Sequence, residues 1–147
     1  MTTAESPAPS PPEHVLAIEA RPEDIDELGH VSNVTYVRWI QDVAKSHSAA
    51  VGWDADAYFR IGAVFVVRRH EIDYLVPALQ GDRIELRTHV ARFGAAASER
   101  RTRIVRARDG VELSRALTLW AFVSTSTQRP CRIPPEVREA FVLNGTG

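Results

Sequence analysis

The sequence predicts an α+β domain in which one long central helix is wrapped by a five-stranded antiparallel sheet. At a helical spacing of roughly 100° per residue, nine mostly apolar residues share one arc about 160° wide: Trp39, Ala50, Val43, Tyr36, His47, Ile40, Val51, Ala44 and Val37. So wide an apolar face is typical of a helix that a sheet surrounds. The flanking segments alternate apolar and polar residues, as strands do. A doubly wound α/β domain would need several crossover helices, which this sequence lacks.

The strands are predicted on both sides of the central helix. One precedes it and four follow as a meander, over residues 14–20, 61–76, 83–90, 95–108 and 111–123. A helical turn at residues 54–60 and a closing helix at residues 135–143 complete the chain. Asp109-Gly110 predicts a two-residue type I′ hairpin turn, because glycine accepts a positive φ.

The ends of the central helix carry their own signals. Ser32 or Asn33 can cap its start, since a short side-chain oxygen accepts hydrogen bonds from the first free N–H groups. Gly52 can end it in the left-handed conformation. His47 lies in the middle of the apolar arc, which is more typical of a core histidine than of a ligand. Asp24 is predicted to hold the acidic turn that precedes the helix.

Length and composition indicate one domain. A chain of 147 residues with 44% apolar residues can bury a core. Residues 1–13 are rich in Pro, Ser, Ala and Thr and are expected to form a disordered tail before a single domain at 14–143. The one cysteine, Cys131, excludes an internal disulfide. No basic patch or apolar run marks the N-terminus, so we expect a cytoplasmic protein without membrane association.

The segment Asp24–Trp39 reads D-x-D-x-x-G-H-V-x-N-x-x-Y-x-x-W and resembles the signature of hotdog-fold acyl thioesterases of the 4-hydroxybenzoyl-CoA thioesterase type. His70–Asp82, H-E-I-D-Y-L-V-P-A-L-Q-G-D, is similar to the second strand and turn of that family. The resemblance covers about residues 14–142. It implies a hotdog fold, a dimer whose sheets join edge to edge and often pair again into a tetramer, and active sites at the subunit interface. The implied substrate is an acyl-CoA or acyl-carrier-protein thioester.

Within this resemblance, Asp26 takes the position of the catalytic carboxylate and Gly29 that of the tight turn that follows. Near Asn33, a backbone N–H at the helix start would polarise the thioester carbonyl. Thioester hydrolysis needs a nucleophile, or a base that activates water, together with donors for the oxyanion. Asp26 can act in either way, and the sequence leaves both open.

The motif also departs from its relatives. Many read G-H-V-N-N, whereas Ser32 here replaces the first asparagine by a shorter hydroxyl. The plant enzymes have an asparagine where Leu28 stands. His30 remains a candidate for touching the substrate or orienting the carboxylate. Tyr36 and Trp39 are interpreted as helical core residues that also form walls of an acyl pocket.

Charge is divided between the halves of the chain. Residues 1–75 carry 6 Lys+Arg against 12 Asp+Glu, and residues 76–147 carry 12 against 7. Arg92, Arg100, Arg101 and Arg103 are therefore a candidate landing site for coenzyme A phosphates. The arginines lack an aromatic platform for nucleic acid. The histidines show no metal-ligand spacing, so we expect neither a metal nor a cofactor beyond the substrate's own coenzyme A.

Two alternatives share the fold. An acyl-thioester hydratase or dehydratase has a His five residues after its Asp with Asn-Pro between them, whereas His30 follows Asp26 by four residues without a proline. A non-catalytic acyl-binding protein is the other. The pocket floor, which determines the length and aromaticity of the acyl group, is expected to be built across a subunit interface.

Overall fold

A computed structural model describes residues 12–143. The secondary-structure elements are β1 His14–Glu19, α1 Asn33–Ala50, α2 Ala55–Ile61, β2 Ala63–Tyr74, β3 Arg83–Phe93, β4 Ala97–Arg106, β5 Glu112–Ser124 and α3 Pro135–Leu143, with one 3₁₀ turn at Pro22–Asp24. None of the helices in this part of the chain is long and apolar enough to cross a membrane. Residues 1–11 of the predicted tail lie outside the described residues. Glu13, the last residue of that tail, forms ion pairs with Arg87 and Arg103.

The five strands form one antiparallel sheet in the order β1-β3-β4-β5-β2. The predicted class, one long helix against a five-stranded antiparallel sheet, is confirmed. The four-strand meander is wrong, because only β3, β4 and β5 follow one another and β2 pairs with β5 at the far edge. The connection at residues 75–82 carries the chain from β2 at one edge across the sheet to β3, which lies beside the opposite edge strand β1.

The concave face of the sheet packs on α1, whose core residues are Tyr36, Trp39, Ile40 and Val43. Ile40 and Val43 have no exposed surface. A second cluster, around Phe122, packs β2, β5, α2 and α3 near the other end of the helix. The helix is thus buried along its length between two apolar clusters, as the wide apolar arc predicted.

Three local predictions have clear outcomes. Ser32 is the N-cap of α1, because its Oγ accepts the Thr35 N–H at 3.3 Å. Gly52 follows the helix with a φ of +96°. The hairpin at Asp109-Gly110 exists, but the two-residue turn is wrong: the Arg106 N–H donates to the Val111 carbonyl across four intervening residues. The Asp109 carboxylate holds this wider loop by binding the Arg106 guanidinium and the Val111 N–H.

Replacing Gly52 by alanine should lower the free energy of unfolding by about 1 kcal/mol, because a Cβ is strained at positive φ even where nothing lies within 4 Å of it. Urea unfolding followed by tryptophan fluorescence measures the change. Gly94→Ala is the matched control, since Gly94 is outside the left-handed region and its added Cβ would lie at an ordinary 3.6 Å from the Ala97 carbonyl. Equal losses in the two variants would contradict the role assigned to Gly52.

Candidate active site

The turn that carries Asp26 is tied to the start of α1 by backbone hydrogen bonds. The Asp26 N–H donates to the His30 carbonyl at 2.8 Å, and the Ser32 N–H donates to the Asp24 carbonyl at 2.9 Å. Gly29 closes the turn at φ +80°, with its N–H donating to the Asp26 carbonyl at 3.0 Å. The acidic turn is therefore a short antiparallel ladder that ends directly at the helix cap.

The buried side chain of Asp24 stabilises this ladder. Its carboxylate is 2% exposed, and its Oδ1 accepts from the Arg38 guanidinium on α1 at 2.7 Å. Its Oδ2 accepts the Arg21 N–H at 2.9 Å. One buried carboxylate thus joins the entering chain, the turn and the second turn of the helix, in agreement with the structural role predicted for it.

The Asp26 carboxylate is only half-buried, and its orientation is fixed on one side. Oδ1 accepts the Leu28 N–H at 2.9 Å and the His30 N–H at 3.4 Å. Within residues 12–143, no hydrogen bond is made by Oδ2. A carboxylate held by one oxygen leaves the other available to a substrate or to a water molecule.

The start of α1 directly follows this turn and provides backbone N–H donors. The first N–H groups of any helix have no partner inside it. The Ser32 cap serves Thr35, and the Tyr36 N–H reaches the Ser32 carbonyl at 3.3 Å. The amides of Asn33 and Val34 have no hydrogen-bond partner in the described part of the chain, and both residues are exposed. With the positive end of the helix dipole behind them, they can bind an anionic oxygen.

Two predicted wall residues are core residues. Tyr36 and Trp39 are each 3% exposed and pack edge to face at 5.5 Å. The Tyr36 hydroxyl accepts the Ala78 N–H at 3.1 Å, and burial raises the pKa of Tyr36. Neither lines the large apolar cavity near the other end of α1, and their second role, as walls of an acyl pocket, stays a prediction. Their position anchors the loop after β2 to the helix start.

His30 has its backbone in the turn, and no hydrogen bond to its ring is present in residues 12–143.

The large apolar cavity lies near the other end of α1. It has a volume of about 440 Å³, within the range of small-molecule pockets. Its walls come from the last turns of α1, from α2, α3 and four strands. Seven aromatic residues line it: Trp53, Tyr58, Phe59, Phe65, Phe93, Trp120 and Phe141. Sequence reasoning did not identify this cavity. Its only signal was the run Ala63–Val67, apolar on both faces, because aromatic residues from distant segments meet only after folding.

The four arginines predicted as one phosphate site do not come together. Arg100 is 5% exposed on the inner face of the sheet and lines the cavity. Arg101 and Arg103 are exposed on the outer face, since successive side chains of a strand point to opposite faces. Arg92 is exposed and pairs with Glu99 at 2.6 Å. Phosphate binding stays a prediction for the three exposed arginines and does not fit the buried one.

His47 is a core histidine, as predicted. It is 4% exposed, and its Nδ1 accepts from the Arg100 Nη1 at 2.9 Å. Because arginine can only donate, the ring is neutral with its proton on Nε2. Burial, together with the Arg100 charge, lowers the pKa of His47 to about 3. Among residues 12–143 there is no group of three His, Cys, Asp or Glu side chains that could hold a metal ion.

The chain thus combines an antiparallel sheet packed on one long helix with a carboxylate turn at the start of that helix. Residues 20–141 match the model of the thioesterase-like superfamily, and the chain belongs to this superfamily. The chain is 21% identical over 131 residues to a chloroplastic acyl-acyl carrier protein thioesterase of Arabidopsis thaliana, covering 88% of this chain and 67% of that protein. It is 28% identical over 114 residues to a chloroplastic acyl-[acyl-carrier-protein] hydrolase of Cuphea viscosissima, covering 74% of this chain but only 28% of that protein.

Solved structures share the fold. A 1,4-dihydroxy-2-naphthoyl-CoA thioesterase from Synechocystis superposes with a TM-score of 0.81 at 17% identity, over 88% of this chain and 95% of that chain. A Staphylococcus aureus protein in complex with CoA gives a TM-score of 0.84 at 14% identity, over 96% and 88%. The predicted hotdog fold is confirmed. Family and relatives together support a thioester hydrolase.

Replacing Asp24 by asparagine should lower the free energy of unfolding by about 1.5–3 kcal/mol, because hydrogen bonds to a charged group are lost from a buried site. Urea unfolding gives the value. Asp42→Asn is the matched control: Asp42 is exposed on the same helix, and no hydrogen bond or ion pair involves it in residues 12–143. An Asp24→Asn variant as stable as the control would remove the proposed lock.

Proposed function

We propose that the chain hydrolyses acyl thioesters, with the Asp26 carboxylate as nucleophile or general base and the helix start as oxyanion site. The observation that carries the proposal is a half-buried carboxylate held by one oxygen in the turn before α1. The amides of Asn33 and Val34, which begin the helix, have no hydrogen-bond partner within residues 12–143. Membership in the thioesterase-like superfamily supports the same reaction.

The chemistry needs little else. If Asp26 attacks, a bond forms between its oxygen and the thioester carbon, the C–S bond breaks, and water then hydrolyses the mixed anhydride. If Asp26 acts as base, it takes a proton from the water that attacks the same carbon. In both cases the carbonyl oxygen becomes negative and the amides at the helix start stabilise it. A thiolate leaves readily, so no strong general acid is required.

The position of the cavity supports an active site shared by two copies. Asn33 and Ser48, which lines the cavity, are separated along α1 by about 20 Å at 1.5 Å per residue. One copy alone therefore holds its carboxylate far from its own cavity. The start of β2, at Val64 and Phe65, lines the cavity, while Tyr74 at its end packs on Tyr36 beside the helix start. Two β2 strands paired antiparallel about a two-fold axis would bring each carboxylate to the other copy's cavity.

The β2 edge has the character of an interface. It is the last strand of the sheet, and an unpaired edge of twelve residues is a template for a second strand. Ile61 before it and Leu75 after it are exposed at 42% and 43%. The His70 Nε2 on this strand is buried without a hydrogen-bond partner in residues 12–143. We infer a homodimer through β2. Its further pairing to a tetramer and a cytoplasmic location stay predictions.

The proposal includes two carriers of the acyl group, coenzyme A and acyl carrier protein. The relatives from Arabidopsis and Cuphea are acyl-carrier-protein thioesterases, and the similar Synechocystis structure is a CoA thioesterase. Each acyl chain should therefore be assayed on both carriers.

Asp26→Asn should lower kcat by about 10²–10⁴-fold, because the amide can neither attack the thioester nor accept a proton. Release of free thiol from a panel of acyl-CoAs measures the rate, and circular dichroism verifies the fold. Glu27→Gln, which neutralises the exposed neighbouring carboxylate, is the matched control and should retain wild-type rates. Undiminished turnover in Asp26→Asn would remove this residue from the mechanism. Binding of acyl-CoA by the wild type with no turnover on any chain would favour the non-catalytic alternative.

Leu75→Glu should convert the dimer to monomer and lower activity with it, because a charge would be buried against the partner strand. Light scattering after size exclusion gives the mass. Val15→Glu, at an equally exposed apolar position on the opposite edge strand β1, should leave both mass and activity unchanged. If the dimer instead dissociates in Val15→Glu and persists in Leu75→Glu, the interface lies at β1 and the proposed interface at β2 is wrong.

A further inference from the structure

Arg100 places a positive charge on the floor of an apolar cavity. Its side chain is 5% exposed and lines the cavity from the middle of β4. In the described residues no carboxylate lies within 4.0 Å of it. Burial lowers the pKa of Arg100 only to about 10, so the guanidinium stays charged at neutral pH. A buried charge is expensive unless it is paired.

The groups that touch this guanidinium are all neutral. Nη1 donates to the neutral His47 ring at 2.9 Å and to the Thr88 hydroxyl at 3.2 Å. The Phe141 ring lies 5.7 Å from Cζ, in cation–π range. No acceptor for Nε or Nη2 is present in residues 12–143. These contacts orient the guanidinium without neutralising it.

A second donor without a partner lines the same cavity. The Trp120 Nε1 is buried and has no hydrogen-bond acceptor in the described part of the chain. In the sheet register Trp120 pairs with Ser98 and Arg100 with Thr118, so the tryptophan and the arginine are diagonal neighbours on the inner face. Both side chains therefore belong to the face of the sheet that lines the cavity.

We propose that this cavity binds an acyl group that ends in a carboxylate, with one oxygen on the Arg100 guanidinium and the other on the Trp120 indole N–H. The aromatic walls hold the methylene chain, and the exposed lining residues Lys45 and Phe59 mark the mouth through which it enters. The substrate class is thus an ω-carboxyacyl thioester. This inference rests on the proposed thioester hydrolysis and adds the substrate class to it.

The test compares acyl-CoAs that differ only at the far end. For chains of six to twelve carbons, the ω-carboxyacyl-CoA, the ω-hydroxyacyl-CoA and the unsubstituted acyl-CoA of equal length are assayed by thiol release. At the best length, the carboxylate form should have a kcat/KM about tenfold or more above the other two, because a charge-assisted pair forms in a site of low polarity. Equal values for the carboxylate and unsubstituted forms, or for the carboxylate and hydroxyl forms, would overturn the proposal.

Two variants assign the preference to its residues. Arg100→Gln should abolish the tenfold ratio of kcat/KM between the carboxylate form and the unsubstituted form, with both substrates measured in the same variant. Trp120→Phe keeps an aromatic wall, loses only the N–H, and should reduce the ratio by a smaller factor. A ratio unchanged in Arg100→Gln would overturn the proposal. If circular dichroism shows that Arg100→Gln does not fold, the remaining two variants provide the test. The proposal is then overturned if the ratio of kcat/KM is unchanged in both Trp120→Phe and Arg100→Lys.

A binding measurement separates this inference from the proposed function. In Asp26→Asn, quenching of Trp53 and Trp120 fluorescence reports occupancy of the cavity without turnover. The ω-carboxyacyl-CoA should bind about tenfold more tightly than the unsubstituted acyl-CoA of equal length. If the wild type hydrolyses no thioester, the proposed function fails, and this preference still tests the cavity. If hydrolysis occurs and both forms bind equally, only the substrate class is wrong.

Discussion

Burial of α1 against the concave face of the sheet is the constraint on which the other features depend. The helix has an apolar arc too wide to be left in water, and two apolar clusters cover it from the turn at its start to α3 near its end. Because the helix cannot move without exposing Ile40 and Val43, both of its ends are fixed in space. Its start carries the carboxylate turn, and its last turns form one wall of the cavity. Fixed donors and a fixed carboxylate are what stabilisation of a developing charge requires.

Two buried charged side chains in the described residues have opposite environments. Both oxygens of the Asp24 carboxylate are bound, one by a guanidinium and one by a backbone N–H, and the carboxylate stabilises the turn. The Arg100 guanidinium is oriented by His47 and Thr88 but meets no opposite charge in the described residues. The first environment is that of a structural group. The second agrees with the ligand-binding role that we propose, because the burial of this charge is not compensated by an ion pair within residues 12–143.

The length of α1 gives a physical reason for the proposed dimer. A helix of eighteen residues separates its two ends by more than 20 Å, and the proposed chemistry lies at one end and the apolar cavity near the other. A thioester bound at the helix start cannot place a short acyl group in the cavity of the same copy. The edge strand β2 runs past both regions and is unpaired on its outer side within the described chain. Antiparallel pairing of this edge is the simplest arrangement that joins the two halves of a site.

The sequence by itself determined the features that depend on neighbouring residues. Helical periodicity identified α1, side-chain chemistry limited its cap to Ser32 or Asn33 and placed its end at Gly52, and the resemblance of the motif around Asp26 indicated the turn at the helix start. These follow from local hydrogen bonds and from the repeat of one element. Only the tertiary structure decided that β2 crosses to the far edge, that Arg100 faces inward while Arg101 and Arg103 face outward, and that Trp120 lies beside Arg100. Those facts depend on strand order and register between segments distant in sequence, which a single strand's alternation of faces cannot specify.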